Sequence, residues 1–270
     1  MLVLIGPPFS GSDDEYGRLA ELTGLLPYEL KTKLRPSAWG VVRALGDVDR
    51  AEELAHRLRS QGFRVAVVDS AVASDPARLF VPLRAVEVTD SSLVLHLTER
   101  EMPIPFRAVL AVVRGEVEVG SRRRFSSSAT FRAIAPEASL EVVSTPPIDG
   151  FAAADFHFAT VLWSARIDAR SFDFSILGEQ SGGAQDLDRL VDALGERIGV
   201  RVDRASKVSS VASFTGGSGS TRSATPMPGA SLPARREVPE RFDAYSRLVA
   251  EAERQALRHD RASARPPLPG

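Results

Sequence analysis

The first signal for the fold lies in residues 2–24, LVLIGPPFSGSDDEYGRLAELTG. The opening apolar run is short enough to be a buried β-strand, and the turn rich in glycine and proline ends that strand. Ser12 stands three residues before Glu15, which is the spacing of a capping box at a helix start. The helix is predicted over residues 13–23, because Gly24 follows as a helix stop.

Four further elements complete this unit, residues 1–73. Proline at a favoured first-turn position predicts a second helix over residues 27–34. A strand is predicted over residues 39–45, and a third helix is predicted to be capped at Asp49, where the capping-box spacing recurs. A strand over residues 63–68 closes the unit. The resulting order, β-α-α-β-α-β, indicates a small α+β domain.

Residues 77–204 are predicted to be mostly β-strands followed by one helix. The strand candidates are residues 80–88, 93–98, 104–113, 116–119, 139–144, 156–167 and 172–176. Several of them alternate apolar and polar side chains, as half-buried strands do. The apolar spacing then becomes helical at Leu187, Leu190, Val191 and Leu194. We predict a mostly antiparallel β domain, a sandwich or a small barrel, closed by one helix.

The rest of the chain divides into three segments. Serine, threonine, glycine and proline dominate residues 207–238, which predicts a disordered linker. An amphipathic helix is predicted over residues 239–259 and a disordered tail over residues 260–270. The predicted partner-binding anchors on the helix are Phe242, Tyr245, Leu248 and Val249. Two arrangements remain open, since the helix can dock on a partner or fold back onto its own domain.

Composition excludes several classes of protein. The 270 residues include 34 Lys and Arg and 35 Asp and Glu, a net charge of -1, so a nucleic-acid partner is disfavoured. The chain has no cysteine, and its four histidines share no metal-ligand spacing, so neither a metal ion nor a cofactor is expected. No stretch approaches the ~20 apolar residues of a membrane helix, and no secretion signal is seen. We expect a cytoplasmic protein with no membrane partner.

Three stretches of the first unit resemble the C-terminal domain of the bacterial ribosomal stalk protein. They are residues 19–25, LAELTGL, residues 49–54, DRAEEL, and residues 62–67, GFRVAV. The family has the same β-α-α-β-α-β order. The same fold class also resembles the protease adaptor that binds N-terminal degrons. In the stalk family the second helix meets translational GTPases. The resemblance implies a ribosome or translation-factor partner, contacted through Glu29, Lys31 and Lys33.

The middle region resembles a pleckstrin-homology-type domain in its strand count and its closing helix. Lipid-binding members of that class carry basic residues in the first hairpin. Here residues 89–92 are Thr-Asp-Ser-Ser, with no basic side chain. The resemblance therefore implies the fold without phosphoinositide binding.

No catalytic constellation is found in the sequence. The turn after the first strand has the glycine spacing of a phosphate loop, but Ser12 and Asp13 stand where such a loop needs lysine and Ser or Thr. His157 is expected on the less apolar face of its strand. Arg122-Arg123-Arg124 is the densest positive charge, and its surroundings favour a solvated loop.

The predicted function is that of a non-enzymatic interaction or adaptor protein, which recognises a protein partner through its domain surfaces and its tail helix. One alternative is a protein associated with the ribosome or a translation factor through the first unit. Another is an enzyme with a site between the two domains, near Trp39 or Trp163.

Overall fold

The structure is a computed structural model that describes residues 1–117, 150–178, 182–204 and 241–263. The first unit consists of β1 (Leu2–Gly6), α1 (Asp13–Thr23), α2 (Pro27–Lys33), β2 (Gly40–Ala44), α3 (Val48–Ser60) and β3 (Arg64–Val68). Its strands form an antiparallel sheet in the order β2-β1-β3. The predicted order of elements is confirmed.

The caps of α1 lie where the sequence predicts them. Ser12 Oγ accepts a hydrogen bond from the Glu15 amide at 3.3 Å, and Gly24 has a left-handed backbone with φ 66°. The Glu15 carboxylate reaches past Ser12 and accepts the amides of Ser10 at 2.8 Å and Gly11 at 2.9 Å. These amides, which a phosphate loop would direct at an anion, are therefore engaged by the protein's own carboxylate.

The start of α3 differs from the prediction. Asp47 caps this helix, because its Oδ1 accepts the amides of Asp49 at 2.8 Å and Arg50 at 3.4 Å. An N-cap needs an extended backbone, which Asp47 has, whereas Asp49 already lies inside the helix. Val48 occupies the first helical position and is consequently 52% exposed.

The second unit is a larger sheet. Its strands are β4 (Phe80–Val88), β5 (Ser92–Leu97), β6 (Glu101–Pro105), β7 (Val109–Val117), β8 (Phe151–Phe158), β9 (Ser164–Asp168) and β10 (Val202–Arg204). They follow the order β10-β7-β8-β9-β4-β5-β6. Most neighbours are antiparallel, while β10 with β7 and β4 with β9 are parallel. The predicted, mostly antiparallel β domain is thus confirmed, as one sheet with β10 and β6 at its ends.

Two long predicted strands are each divided in the structure. The strand predicted over residues 104–113 stops at Pro105, and a 3-10 turn, Phe106–Ala108, leads into β7. The strand predicted over residues 156–167 is divided between β8 and β9, because residues 159–163 turn the chain back. A continuous apolar run does not by itself show where the chain turns.

The strand predicted over residues 172–176 is wrong. Phe172 and Phe174 are buried, with ring centroids 5.0 Å apart in an edge-to-face arrangement, and Ser175–Leu177 forms a 3-10 turn. The two aromatic rings anchor a loop to the core of the larger sheet. The alternating spacing of these two aromatic residues fits a strand, but a loop with two buried rings has the same spacing.

Several predictions fall outside the described residues. They concern the strand over residues 139–144, the end of the strand over residues 116–119, the Arg122–Arg124 run and the linker over residues 207–238.

One helix, α4 (Gly183–Ile198), closes the larger sheet as predicted. It packs on β7 and β8, and the side chains at the predicted helical spacing, Leu187, Leu190, Val191 and Leu194, are buried. Asp186, in the first turn of this helix, is buried as well, and its carboxylate accepts the Gly182 amide at 2.7 Å.

The last helix, α5 (Arg241–Ser263), lies between the two sheets and packs on both. One cluster of buried residues contains Leu2 and Leu4 of β1, Val113 of β7, and Phe242 and Leu248 of α5. The two units and the tail helix therefore share a core.

The position of α5 answers the question left open by the sequence, because the helix is folded back onto its own chain. Its first half is buried beyond the predicted apolar face, since Ala244, Ser246 and Ala250 are buried as well. The helix continues to Ser263, so residues 260–263 of the predicted disordered tail are helical. Among the described helices, α5 included, none is long and apolar enough to cross a bilayer.

Candidate anion-binding groove

Polar side chains are buried where α5 crosses the larger sheet. Asp155 of β8 accepts hydrogen bonds from Arg166 of β9 at 2.6 Å and 2.8 Å, and from the Ser246 hydroxyl of α5 at 2.6 Å. Arg166 also forms an ion pair with Asp243 of α5 at 2.7 Å. Buried charges are tolerated only when they are paired in this way. The buried polar cluster consists of Asp155, His157, Ser164, Arg166, Asp243 and Ser246.

His157 belongs to this cluster, and the directions of its hydrogen bonds indicate a structural role. Its Nδ1 lies 2.6 Å from Ser164 Oγ and its Nε2 lies 2.8 Å from Ser246 Oγ. Because the Ser246 hydroxyl donates to Asp155, it accepts from the protonated Nε2, and Ser164 donates to Nδ1. His157 therefore cannot take the proton of Ser246 as a catalytic base would.

The environment of His157 keeps the ring neutral. His157 lies on the less apolar face of β8, as predicted, but α5 covers this face and the residue is only 1% exposed. Burial, followed by the positive charges of Arg254, Arg166 and Arg78, lowers the pKa of His157 to about 3. The ring is a fixed link between β8, β9 and α5.

A second buried network joins both units to α5. Asp203 of β10 accepts the Trp39 amide at 2.9 Å and lies 2.8 Å from the Tyr245 hydroxyl, which is also 3.0 Å from the Trp39 carbonyl oxygen. Burial raises the pKa of Asp203 to about 7. A protonated Asp203 donates to Tyr245, and the single phenolic hydrogen then goes to Trp39, so both contacts are satisfied.

The protonation of Asp203 should make stability depend on pH. The pKa of this carboxyl rises from 3.8 to about 7 on folding, so the folded protein holds a proton that the unfolded chain loses. This group contributes on the order of a few kcal/mol to the free energy of unfolding below pH 4. That contribution is lost as the pH rises to about 7. The Asp203→Asn variant can keep the three polar contacts of this network, but its amide side chain does not titrate.

We therefore expect Asp203→Asn to gain stability relative to the wild type between pH 5 and pH 8. Denaturant unfolding of both proteins at the two pH values measures this gain. His157 contributes the opposite slope below pH 6.5, but it does so in both proteins and cancels in the comparison. Parallel pH profiles for the two proteins would contradict the assignment of a raised pKa to Asp203.

The two tryptophans named for an enzyme site are engaged by internal contacts. Trp39 Nε1 donates to Glu253 of α5 at 2.8 Å, and a Cβ on Gly6 would lie 2.4 Å from the Trp39 ring, so glycine is required there. The Trp163 ring lies 5.0 Å from the Phe158 ring. Packing and hydrogen bonds within the chain account for both environments.

An open groove of about 670 Å³ lies beside the second half of α5. Its lining comes from α5, from the 3-10 turn before β7 and from the turn between β8 and β9. The residues are Arg107, Ala108, Ala159, Thr160, Val161, Leu162, Glu251, Arg254, Leu257, Arg258 and Arg261. We call this feature the arginine groove.

Positive charge dominates the arginine groove, because its lining residues include four arginines and one carboxylate. Glu251 is shared, since its oxygens lie 2.9 Å from Arg78, 3.1 Å from Arg258 and 3.6 Å from Arg254. Arg107 and Arg261 are exposed, and neither has an ion pair within the described part of the chain. The groove therefore has more cationic groups than internal partners for them.

Arg254 is held in place at the base of the groove. Its Nη2 donates to the carbonyl oxygens of Phe158 at 3.2 Å and Val161 at 2.8 Å, while its buried Nη1 lies 3.6 Å from Glu251 Oε2. Burial, followed by the charge of Arg78, lowers the pKa of Arg254. A guanidinium that is fixed in this way places a positive charge at the groove, which favours the approach of an anion.

The groove also has apolar surface. Val161, Leu162 and Leu257 line it, and Leu162 is 48% exposed. Cations beside apolar side chains can bind a ligand that is both anionic and partly apolar. The lining residues supply charge and surface rather than a paired nucleophile and base.

The predicted partner-binding anchors lie elsewhere. Phe242, Tyr245, Leu248 and Val249 are all buried in the core shared by α5 and the two sheets. In this structure these four side chains contact the chain's own sheets instead of facing outward to a partner. The physical reason is that α5 is covered on both sides by a sheet, so its apolar face is already occupied.

The three residues carried over from the stalk resemblance lie together on α2. Glu29 accepts the Leu26 amide at 2.8 Å and so caps its own helix. Lys31 pairs with Asp13 of α1 at 2.7 Å, and Lys33 is half-buried in the last turn of α2. Their role in binding a ribosome or a translation factor stays a prediction.

The arginine groove was not predicted, although part of its signal is present in the sequence. Arg254, Arg258 and Arg261 are spaced by four and three residues, which places them on one face of a helix. Arg107 has no such signal, because it reaches the groove from a turn that is distant in sequence.

Comparison of the chain with models of protein families, with curated proteins and with solved structures found no match.

Proposed function

We propose that this protein is a non-enzymatic interaction protein, an adaptor, that binds an acidic segment of a partner protein in the arginine groove. The observation that carries the proposal is the excess of guanidinium groups beside exposed apolar surface. Four arginines line the groove with one carboxylate, Glu251, which pairs with two of them, Arg254 and Arg258, and also with Arg78. Carboxylates are natural partners for guanidinium groups, because the two bind through paired hydrogen bonds.

The apolar part of the groove favours a protein ligand over a nucleic acid. A nucleic acid or free phosphate would pair with the arginines but would leave Val161 and Leu162 uncovered. No aromatic side chain, on which a base could stack, is among the lining residues. The net charge of -1 also gives no broad positive surface for a polyanion.

Charge reversal at the rim of the groove tests this function. Arg107→Glu and Arg261→Glu should each weaken binding of a fluorescein-labelled hexaglutamate peptide about tenfold, because an attraction becomes a repulsion. Fluorescence anisotropy with the full-length chain at low salt measures the affinity, which should fall as salt is added.

Arg50→Glu is the matched control for these variants. Arg50 is an exposed arginine on α3, and its reversal changes the net charge by the same amount without touching the groove. The proposal fails if the peptide does not bind saturably, or if Arg50→Glu weakens binding as much as the groove variants do.

A further inference from the structure

Building on the proposed function, we infer that the arginine groove takes a short extended segment in which acidic and apolar side chains alternate. The inference comes from the different chemistry of the two sides of the groove, from its length and from the spacing of its arginines.

The two sides of the groove have different chemistry. All the lining charges of α5, three arginines and Glu251, lie on one side with Leu257, while the turn between β8 and β9 presents uncharged side chains, among them Ala159, Val161 and Leu162. Successive side chains of an extended strand point in opposite directions. An extended ligand can therefore direct its acidic residues to α5 and its apolar residues to the turn.

The length of the groove fits a short extended segment. The lining residues of α5 run from Glu251 to Arg261, which spans about 15 Å at the helical rise. About four or five extended residues cover that distance.

The spacing of the arginines matches an alternating ligand. Arg254 and Arg258 are separated by one helical turn, a rise of about 6 Å. Every second residue of a strand is displaced by about 6.6 Å. Consecutive carboxylates on one face of the ligand can thus meet consecutive arginines, and Arg261 and Arg107 extend the positive charge beyond them.

Two labelled peptides with the same composition test this inference. One alternates, Leu-Glu-Leu-Glu-Leu-Glu, and the other is blocked, Leu-Leu-Leu-Glu-Glu-Glu. We expect the alternating peptide to bind the full-length chain about tenfold more tightly in anisotropy titrations, because only it can use both sides of the groove. Leu162→Ser should reduce this difference, since it removes exposed apolar surface without changing charge.

The possible results separate the inference from the function on which it rests. Equal affinities of the two peptides, with both lost in Arg261→Glu, would overturn the alternating pattern and leave the acidic-ligand function in place. The absence of binding by hexaglutamate and by both hexapeptides would overturn both. A preference for the alternating peptide that Leu162→Ser leaves intact would also overturn the assignment of the apolar side.

Discussion

Replacing Asp155 with alanine is expected to destabilise the folded protein by about 3–5 kcal/mol. Asp155 is fully buried and accepts three hydrogen bonds, two from Arg166 and one from Ser246. Removal of the carboxylate leaves the largely buried Arg166 with Asp243 alone. The guanidinium then lacks half of its charge compensation, and desolvated charges without partners are costly.

Denaturant unfolding, followed by circular dichroism, measures this loss. Asp168→Ala is the matched control, because Asp168, at the end of β9, pairs with Arg170, whose side chain is 58% exposed. A pair of that kind contributes at most about 1 kcal/mol. Equal losses for Asp155→Ala and Asp168→Ala would show that the buried polar cluster does not hold α5 on the sheet.

Replacing Phe242 with alanine, as a separate single substitution, is expected to lower the free energy of unfolding by about 3–5 kcal/mol. The ring is 1% exposed and lies in the cluster shared by β1, β7 and α5, with the Arg166 guanidinium 5.2 Å from its centroid. Truncation leaves a cavity between layers that come from distant parts of the chain. Domains of this size are stable by only about 5–15 kcal/mol, so the loss is readily measured.

The same substitution separates the two roles considered for Phe242. A residue buried in the protein's own core lowers the midpoint of denaturant unfolding when it is truncated. A residue that faces a partner leaves that midpoint unchanged. Tyr28→Ala is the aromatic control, because Tyr28 is 76% exposed on α2 and should change the midpoint little. Equal midpoints for Phe242→Ala and the wild type would contradict the docked position of α5.

The helix α5 therefore combines two tasks. Its first half holds the two sheets together through Phe242, Tyr245 and Leu248, and its second half supplies three of the four groove arginines. Substitutions in the first half that loosen the helix should also weaken anion binding, because the arginines depend on the seating of α5. Substitutions at Arg261 should weaken anion binding without loosening the helix.

Features set by neighbours in the sequence were predictable. The cap at Ser12, the stop at Gly24 and the spacing of Leu187, Leu190 and Leu194 depend on contacts within a few residues, which a sequence pattern records directly. The apolar face of α5 was predicted for the same reason. The pattern shows that a helix has a face to bury, but it does not show what covers that face.

Features that join distant residues could not be obtained in this way. Ser246 donates to Asp155 across 91 residues of sequence, and Tyr245 reaches the Trp39 carbonyl across 206. The arginine groove likewise needs Arg107 from a turn beside the arginines of α5. A hydrogen bond or an ion pair between such residues leaves no periodic trace in the chain. Local patterns thus established the elements and their order, whereas packing of the two sheets around α5 buried the predicted anchors and created the groove.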